Sequence, residues 1–373
     1  MNYRNYMKIT LVVLVLCLMS VGSYAHAVMK VVGANSYGPI PEPILTPSII
    51  CTGATCPAFM HPELINSNGW IGGTSATCKY SSDDAVTWAA CASLPAGFGG
   101  GNIYGWATTS TGAWLGVASI GENCNVARST DRGVNWTIVY NAAPTCSMHT
   151  TNTGSNIRCV SSGSCILARD NGSQLNLFRS TDDGLTWGTL YTDATQIGII
   201  TGLQFDGTNG FDIGIGGGGG RVKNFTYTIT GESGWVAPIA GFTWTDGNMC
   251  AKGINHSVLG PAVYCGLLSP KRFVNAATGA VTNITLSNGV LTSKETAFSL
   301  GTGIYIVGTS TSVMGACSGG GNKTSVWVSM DNAVTFYETA CFSGIFAPGD
   351  VYTRNGKVYV GGAMSGPAIL KFQ

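Results

Sequence analysis

The chain has 373 residues, 45% of them hydrophobic and only 10% charged, which excludes a chain disordered by composition. Its formal net charge of +1, from 19 Lys and Arg against 18 Asp and Glu, excludes a strongly basic nucleic-acid binder and an acidic tail protein. Its 53 glycines follow no Gly-X-Y period, which excludes collagen and points to turns.

Residues 1–27 read as a secretory signal peptide. Arg4 and Lys8 form a basic start, Ile9 to Val21 is an apolar run, and Ala25-His26-Ala27 offers small residues for cleavage. The run is shorter than the roughly 20 residues that span a bilayer. Leu16 before Cys17 does not suit a lipoprotein signal, which wants a small residue there. No later segment is apolar enough to cross a membrane. The expected organisation is a signal peptide over 1–27 and one domain over 28–373, secreted, periplasmic or at the cell surface.

Removal of the signal takes Cys17 and leaves an even set: Cys51, Cys56, Cys78, Cys91, Cys124, Cys146, Cys159, Cys165, Cys250, Cys265, Cys317 and Cys341. An even set in an exported chain implies disulfides. Cys-x-x-Cys never occurs, and His61, His149 and His256 are scattered. No metal and no cofactor is expected.

An octapeptide then recurs along the chain. Its copies are Ser81 to Trp88, Ser129 to Trp136, Ser180 to Trp187 and Ser329 to Phe336, with the pattern S-x-D-x-[GA]-x-[TN]-[WF]. A weaker copy runs from Thr228 to Trp235, and the weakest from Asn275 to Thr282. Copies end about every 50 residues, the spacing of a repeat architecture. Each unit holds about four short β-rich runs separated by Gly and Asn turns, the content of one propeller blade.

Each box has a physical task. Asp83, Asp131, Asp182 and Asp331 sit at hairpin turns, where a carboxylate accepts N–H groups that the turn leaves unpaired. The Ser hydroxyl does the same, and Gly permits positive φ. Trp88, Trp136, Trp187 and Phe336 begin the outgoing strand and bury their rings between blades. These residues are expected to be structural rather than catalytic.

The pattern resembles the Asp-box, or BNR, repeat of sialidase-like β-propellers. The same box occurs in sialidases and other glycosidases, in sortilin-type receptors and in propellers like the photosystem II assembly factor. The resemblance therefore implies a fold and no single activity. The expected fold is all-β: a seven-bladed propeller of four-stranded blades closed by an N-terminal strand, with six blades the runner-up. Asp350 to Arg354, Lys357 to Gly361 and Ala368 to Phe372 supply three strands of the last blade, and Met29 to Gly33 is the run expected to complete it. Sequential cysteine pairing keeps each bond within a blade: 51 with 56, 78 with 91, 124 with 146, 159 with 165, 250 with 265, and 317 with 341. Sequence alone leaves that connectivity open.

Sialidases bind a substrate carboxylate through three Arg, the first in an Arg-Ile-Pro-like motif before the first box. Arg suits this task because its planar fork holds a carboxylate bidentately. Here residues 28–127 contain no Arg, so that motif is absent. Arg128 and Arg179 precede successive boxes and are explained by repeat position. Asp206, Asp212 and Asp246 lie in loops of the fourth and fifth units; two facing carboxylates could hydrolyse a glycoside, and solvated turn residues are the plainer reading. Gly216 to Gly220 lacks the Lys-Ser/Thr of a phosphate loop.

Trp70, Trp106, Trp114, Trp244 and Trp327 lie outside the boxes, and exposed aromatics on propeller faces stack on sugars or anchor proteins. Trp244, beside Asp246, is the leading binding candidate. The expected function is a non-catalytic module for a protein or carbohydrate ligand, with no nucleic-acid partner and no integral membrane segment in the mature chain. The alternatives are a divergent glycoside hydrolase and a structural subunit of a cell-surface or extracellular assembly.

Overall fold

A computed structural model describes residues 47–74, 77–98, 102–120, 123–142, 157–160, 163–170, 175–193, 199–205, 210–216, 221–226, 250–266, 271–275, 278–287, 291–310, 323–342, 346–364 and 367–373. Its strands fall into seven sheets. β1 (Ser48–Thr52) belongs to the last of them, and the first sheet is β2 (Phe59–Pro62), β3 (Trp70–Thr74), β4 (Thr77–Ser81) and β5 (Ala89–Ala90). The second is β6 (Asn102–Thr108), β7 (Trp114–Ile120), β8 (Asn123–Ser129) and β9 (Thr137–Ala142). The third is β10 (Ile157–Cys159), β11 (Cys165–Asp170), β12 (Leu175–Ser180) and β13 (Gly188–Asp193).

The fourth sheet has three described strands, β14 (Ile199–Phe205), β15 (Gly210–Gly216) and β16 (Arg221–Thr226). The fifth is β17 (Cys250–His256), β18 (Gly260–Cys265), β19 (Arg272–Asn275) and β20 (Val281–Asn283). The sixth unites β21 (Thr285–Leu286), β22 (Leu291–Leu300), β23 (Gly303–Ser310), β24 (Lys323–Ser329) and β25 (Thr335–Phe342). The seventh is β26 (Phe346–Arg354), β27 (Lys357–Met364) and β28 (Pro367–Phe372), completed by β1. The innermost strands β2, β6, β10, β14, β17, β22 and β26 each touch the next, and β26 returns to β2. The sheets thus form a β-propeller ring around an axis, in which every sheet has a neighbour on both faces and only the short outer strands keep a free edge.

Sandwiching each sheet between two neighbours explains the strand sequences. In β24, Trp327 faces the fifth sheet while Val326 and Val328 face the seventh. In β7, Trp114 and Ala118 face the first sheet, and Leu115 and Val117 the third. Successive side chains point to opposite faces, so a sheet buried on both faces needs apolar residues at consecutive positions.

Two features differ from the sequence expectation. The strand that completes the seventh sheet is Ser48–Thr52, antiparallel to β28, with Ile49 opposite Leu370 and Cys51 opposite Ile369; Met29 to Gly33 lies outside the described residues. A strand added at an edge needs only backbone pairing, so both runs qualified by composition. The sixth sheet has five strands rather than four. Leaving β20 at the outer edge of the fifth sheet, the chain crosses directly to the outer edge of the sixth. There β21 pairs in parallel with β25, Thr285 N donating to Val334 O and Ser287 N to Phe336 O, each at 2.9 Å.

Cys51–Cys56, Cys78–Cys91 and Cys159–Cys165 are disulfides, all three within the expected pairs. Cys124, Cys265 and Cys341 are also disulfide-bonded. Cys250 stands opposite Cys265 in the β17–β18 register, while Cys146 and Cys317 lie outside the described residues.

Candidate functional site

The four strong boxes occupy one kind of place, the turn between the third β-strand of a sheet and the strand that follows it. Their geometry repeats. Ser81, Ser129, Ser180 and Ser329 are buried, and each hydroxyl donates to its box carboxylate at 2.7–2.8 Å. The same oxygen accepts the N–H of the fifth box residue, from Ala85, Gly133, Gly184 and Ala333 respectively. The carboxylates of Asp83, Asp131, Asp182 and Asp331 accept the N–H of the seventh residue at 2.8–2.9 Å. In the first three boxes they also accept a side-chain hydrogen from Thr87, Asn135 or Thr186. Two successive residues with φ from 56° to 82° reverse the chain in each of these four boxes. The box Trp rings are half-buried and Phe336 is fully buried. The weakest copy, Asn275 to Thr282, occupies the equivalent turn between β19 and β20, where Asn275 Oδ1 accepts the Thr278 N–H at 2.8 Å.

These bonds favour the ionised carboxylate. Hydrogen bonds from Asn135 and Ser129 hold Asp131 at about 2. At Asp182 burial pushes upward, but bonds from Thr186 and Ser180 outweigh it and again give about 2. A folded value below the unfolded one means that the stabilisation is complete above the ordinary Asp range and is lost as pH falls from about 4 toward 2. The urea midpoint is therefore expected to drop across that window, and Asp182→Asn to flatten the drop. An equally steep acid limb in the variant would show that Asp182 does not contribute.

In the first three boxes the fourth residue, which varies, reaches back to the preceding sheet. Asp84 accepts from Tyr359 Oη at 2.6 Å, Lys371 Nζ at 3.0 Å and Lys357 Nζ at 3.3 Å. Arg132 Nη2 meets Glu63 Oε2 at 2.6 Å. Asp183 accepts from Ser110 Oγ at 2.7 Å and Ser110 N at 3.1 Å, and its carbonyl accepts from Arg128 Nε. The fixed positions build the turn, and in the first three boxes the variable one ties the turn to a different neighbour. Sequence reading missed this because the partners are 55 to 287 residues away.

Two further polar groupings lie inside the ring. Arg158, on the third sheet, stands 4.8 Å over the ring of Tyr352 on the seventh. His61, on the first sheet, meets the same ring edge-on at 5.3 Å. The first and second sheets lie between the third and the seventh, so the Arg158 contact crosses the axis. Between the fifth and sixth sheets, Glu295 accepts from Tyr264 Oη and meets Lys271 Nζ at 2.5 Å. Gly266 and Gly308 make room for it: a Cβ on either would lie 2.5–2.6 Å from the Glu295 side chain. Burial pushes the Tyr264 hydroxyl well up, and Glu295 adds to the effect.

Trp244 and Asp246 lie outside the described residues, as do Asp206, Gly217 to Gly220 and the weaker box from Thr228 to Trp235. Trp70, Trp106, Trp114 and Trp327 are fully buried and offer no platform for a ligand. Arg354 is spent on backbone: it donates to Gly69 O at 2.5 Å, Glu63 O at 2.8 Å and Asn66 O. Among the described residues no group of His, Cys, Asp and Glu is arranged to hold a metal, and no helix is long and apolar enough to cross a membrane.

Solved propellers share this architecture. YCF48 from Cyanidioschyzon merolae is 13% identical, matching 88% of this chain and 98% of its own at a TM-score of 0.60. YCF48 bound to D1 peptide is 14% identical, over 91% of this chain and 97% of that one, at 0.55. The GH74 enzyme of Niastella koreensis is 17% identical, over 86% of this chain and 53% of the enzyme, also at 0.55. At such identities the likeness concerns the fold. No protein-family model and no characterised protein sequence matches the chain.

Proposed function

We propose that this chain is an exported, disulfide-stapled, seven-bladed Asp-box propeller acting as a non-catalytic module that binds another protein or a glycan. The observation that carries the reading is the use of its carboxylates. Asp83, Asp131, Asp182 and Asp331 are tied into their own turns, Asp84, Glu63 and Asp183 into seams between sheets, and Glu295 into a buried pair. These acidic groups thus have architectural partners. YCF48 bound to D1 peptide adds that this architecture, in another protein, accommodates a peptide. Trp244 and Asp246, in the segment between β16 and β17, are the proposed contacts. The box and cysteine residues have structural roles in this reading, the domain spans 28–373, and residues 1–27 direct export.

A glycan array and a pull-down against exported proteins, run on purified protein with Trp244→Ala alongside, test this. One ligand bound by the parent and lost by a variant of unchanged melting temperature is expected. A variant that binds as the parent does would remove Trp244 from the site.

The likeness to the GH74 enzyme favours the second reading, a glycoside hydrolase. Against a sialidase-like version stands the absence of Arg from residues 28–127. One charge-assisted bond is worth about 1.5–3 kcal/mol, so its loss weakens anchoring roughly ten- to a hundredfold. A fluorogenic sialoside is expected to remain intact. Turnover abolished by Arg221→Ala or Arg272→Ala would establish a rebuilt clamp and overturn the non-catalytic reading.

A further inference from the structure

We infer that the seam between the seventh and first sheets is an electrostatic latch, the place where the ring opens before any other part of it unfolds. The seventh sheet is composite: β1 comes from early in the chain, and β26–β28 from its last described residues. Ring closure therefore rests on β1 pairing with β28 and on the packing of this sheet against the first.

Among the described clusters, the apolar part of that packing has the fewest buried residues. Its buried cluster is Met60, Trp70, Ala85, Tyr352, Tyr359 and Ile369. The described clusters between the fifth and sixth sheets and between the sixth and seventh hold twelve and eleven buried residues. Apolar burial scales with the area removed from water, so this seam gains less from it.

Charge makes up the difference. The Asp84 carboxylate faces Lys357 and Tyr359 from β27, Lys371 from β28 and, further off, Arg354 from β26. From the other direction Arg354 holds three carbonyls of the 63–69 loop, and Asn355 Nδ2 donates to Ser67 O. Arg354 also lies 5.2 Å over Trp70, and Lys371 5.5 Å over Tyr359. One carboxylate thus gathers three donors from the closing sheet, and one guanidinium gathers a whole loop of the first.

Such a seam responds to conditions that leave apolar seams unmoved. Burial pushes the Asp84 carboxyl up, but the bonds from Tyr359 and Lys371 outweigh it and hold it below the usual range. The latch is therefore intact above the ordinary Asp range and fails as pH falls through the depressed value. Lys357 is 36% exposed, so salt also weakens it: the screening length falls from about 10 Å at 0.1 M to about 3 Å at 1 M. Opening at this seam would part the seventh sheet from the first while the seventh stays packed against the sixth, a sub-global event of the kind amide exchange detects.

The experiment is amide hydrogen exchange by mass spectrometry on the full chain at neutral pH, comparing the parent with Asp84→Asn. Exchange in β1, β28 and β4 is expected to rise at least fivefold, with β23 and β24 of the sixth sheet unchanged. Asp183→Asn, altered at the equivalent position of another seam, is expected to leave β1 and β28 unchanged. Should Asp84→Asn fail to fold, the parent at 0.1 M and 1 M sodium chloride supplies the same comparison, with faster exchange at the seam in salt. Uniform acceleration across all sheets, or no change in β1 and β28, would overturn the latch.

Discussion

Glu63→Ala is expected to lower folding stability by about 2–4 kcal/mol, whereas Glu63→Gln should cost about 1 kcal/mol or less. Glu63 follows the innermost strand of the first sheet and its side chain is only 3% exposed. Its Oε1 accepts the indole N–H of Trp114 at 2.9 Å, and Trp114 is itself buried in the second sheet. Truncation to Ala leaves that N–H without its acceptor, a loss of about 1–3 kcal/mol, and removes packed methylenes. The ion pair with Arg132 adds little, because Arg132 is 54% exposed and such pairs are worth about 0–1 kcal/mol. Gln keeps an acceptor for Trp114 and discards only the charge. Urea unfolding at unchanged m-value measures the difference. Equal losses for Ala and Gln would show that the ion pair, not the indole bond, stabilises the seam.

Gly184→Ala is expected to cost about 2–4 kcal/mol. Gly184 has φ +77°, and a Cβ there would lie 2.7 Å and 2.8 Å from the two Leu115 methyls of the second sheet. The left-handed conformation costs a non-glycine residue about 1–2 kcal/mol. Crowding a packed Leu adds about 1–3 kcal/mol, since Leu115 is fully buried and has nowhere to turn. The first and sixth boxes provide the contrast. Ala85 and Ala333 occupy the same position at φ 67° and 69° and are fully buried, so those two seams have room for a methyl group. Ala85→Gly exchanges relief of backbone strain against lost packing and is expected to stay within about 1 kcal/mol of the parent. Thermal or urea unfolding of both variants tests the pair. A Gly184→Ala protein as stable as the parent would mean that the second and third sheets are less tightly apposed than the structure has them.

These two residues mark where local sequence stops being informative. The box announces a turn because Ser, Asp and Gly act on backbone groups two to four residues away, and short-range chemistry is visible in a linear string. The same locality made the three disulfides legible: Cys51–Cys56, Cys78–Cys91 and Cys159–Cys165 each link residues no more than 13 apart. Repetition at a fixed interval then implied a β-propeller, because one such unit cannot bury both of its faces alone.

Tertiary structure decided everything that depends on a distant partner. Asp84, Arg132 and Asp183 share one box position, and their partners, Tyr359, Glu63 and Ser110, stand on three different preceding sheets. Tyr264 and Glu295 pair across two sheets, and nothing in either local sequence signals it. The closing strand is Ser48–Thr52 because its register sets Ile49 and Cys51 against Leu370 and Ile369, whereas Met29 to Gly33 has the same β-rich composition. The amino-acid sequence by itself determined the repeating unit and the turns, since these follow from contacts within a few residues. Only the assembled ring decided which strand closes it and which charges lock its seams, since these depend on what another sheet places opposite.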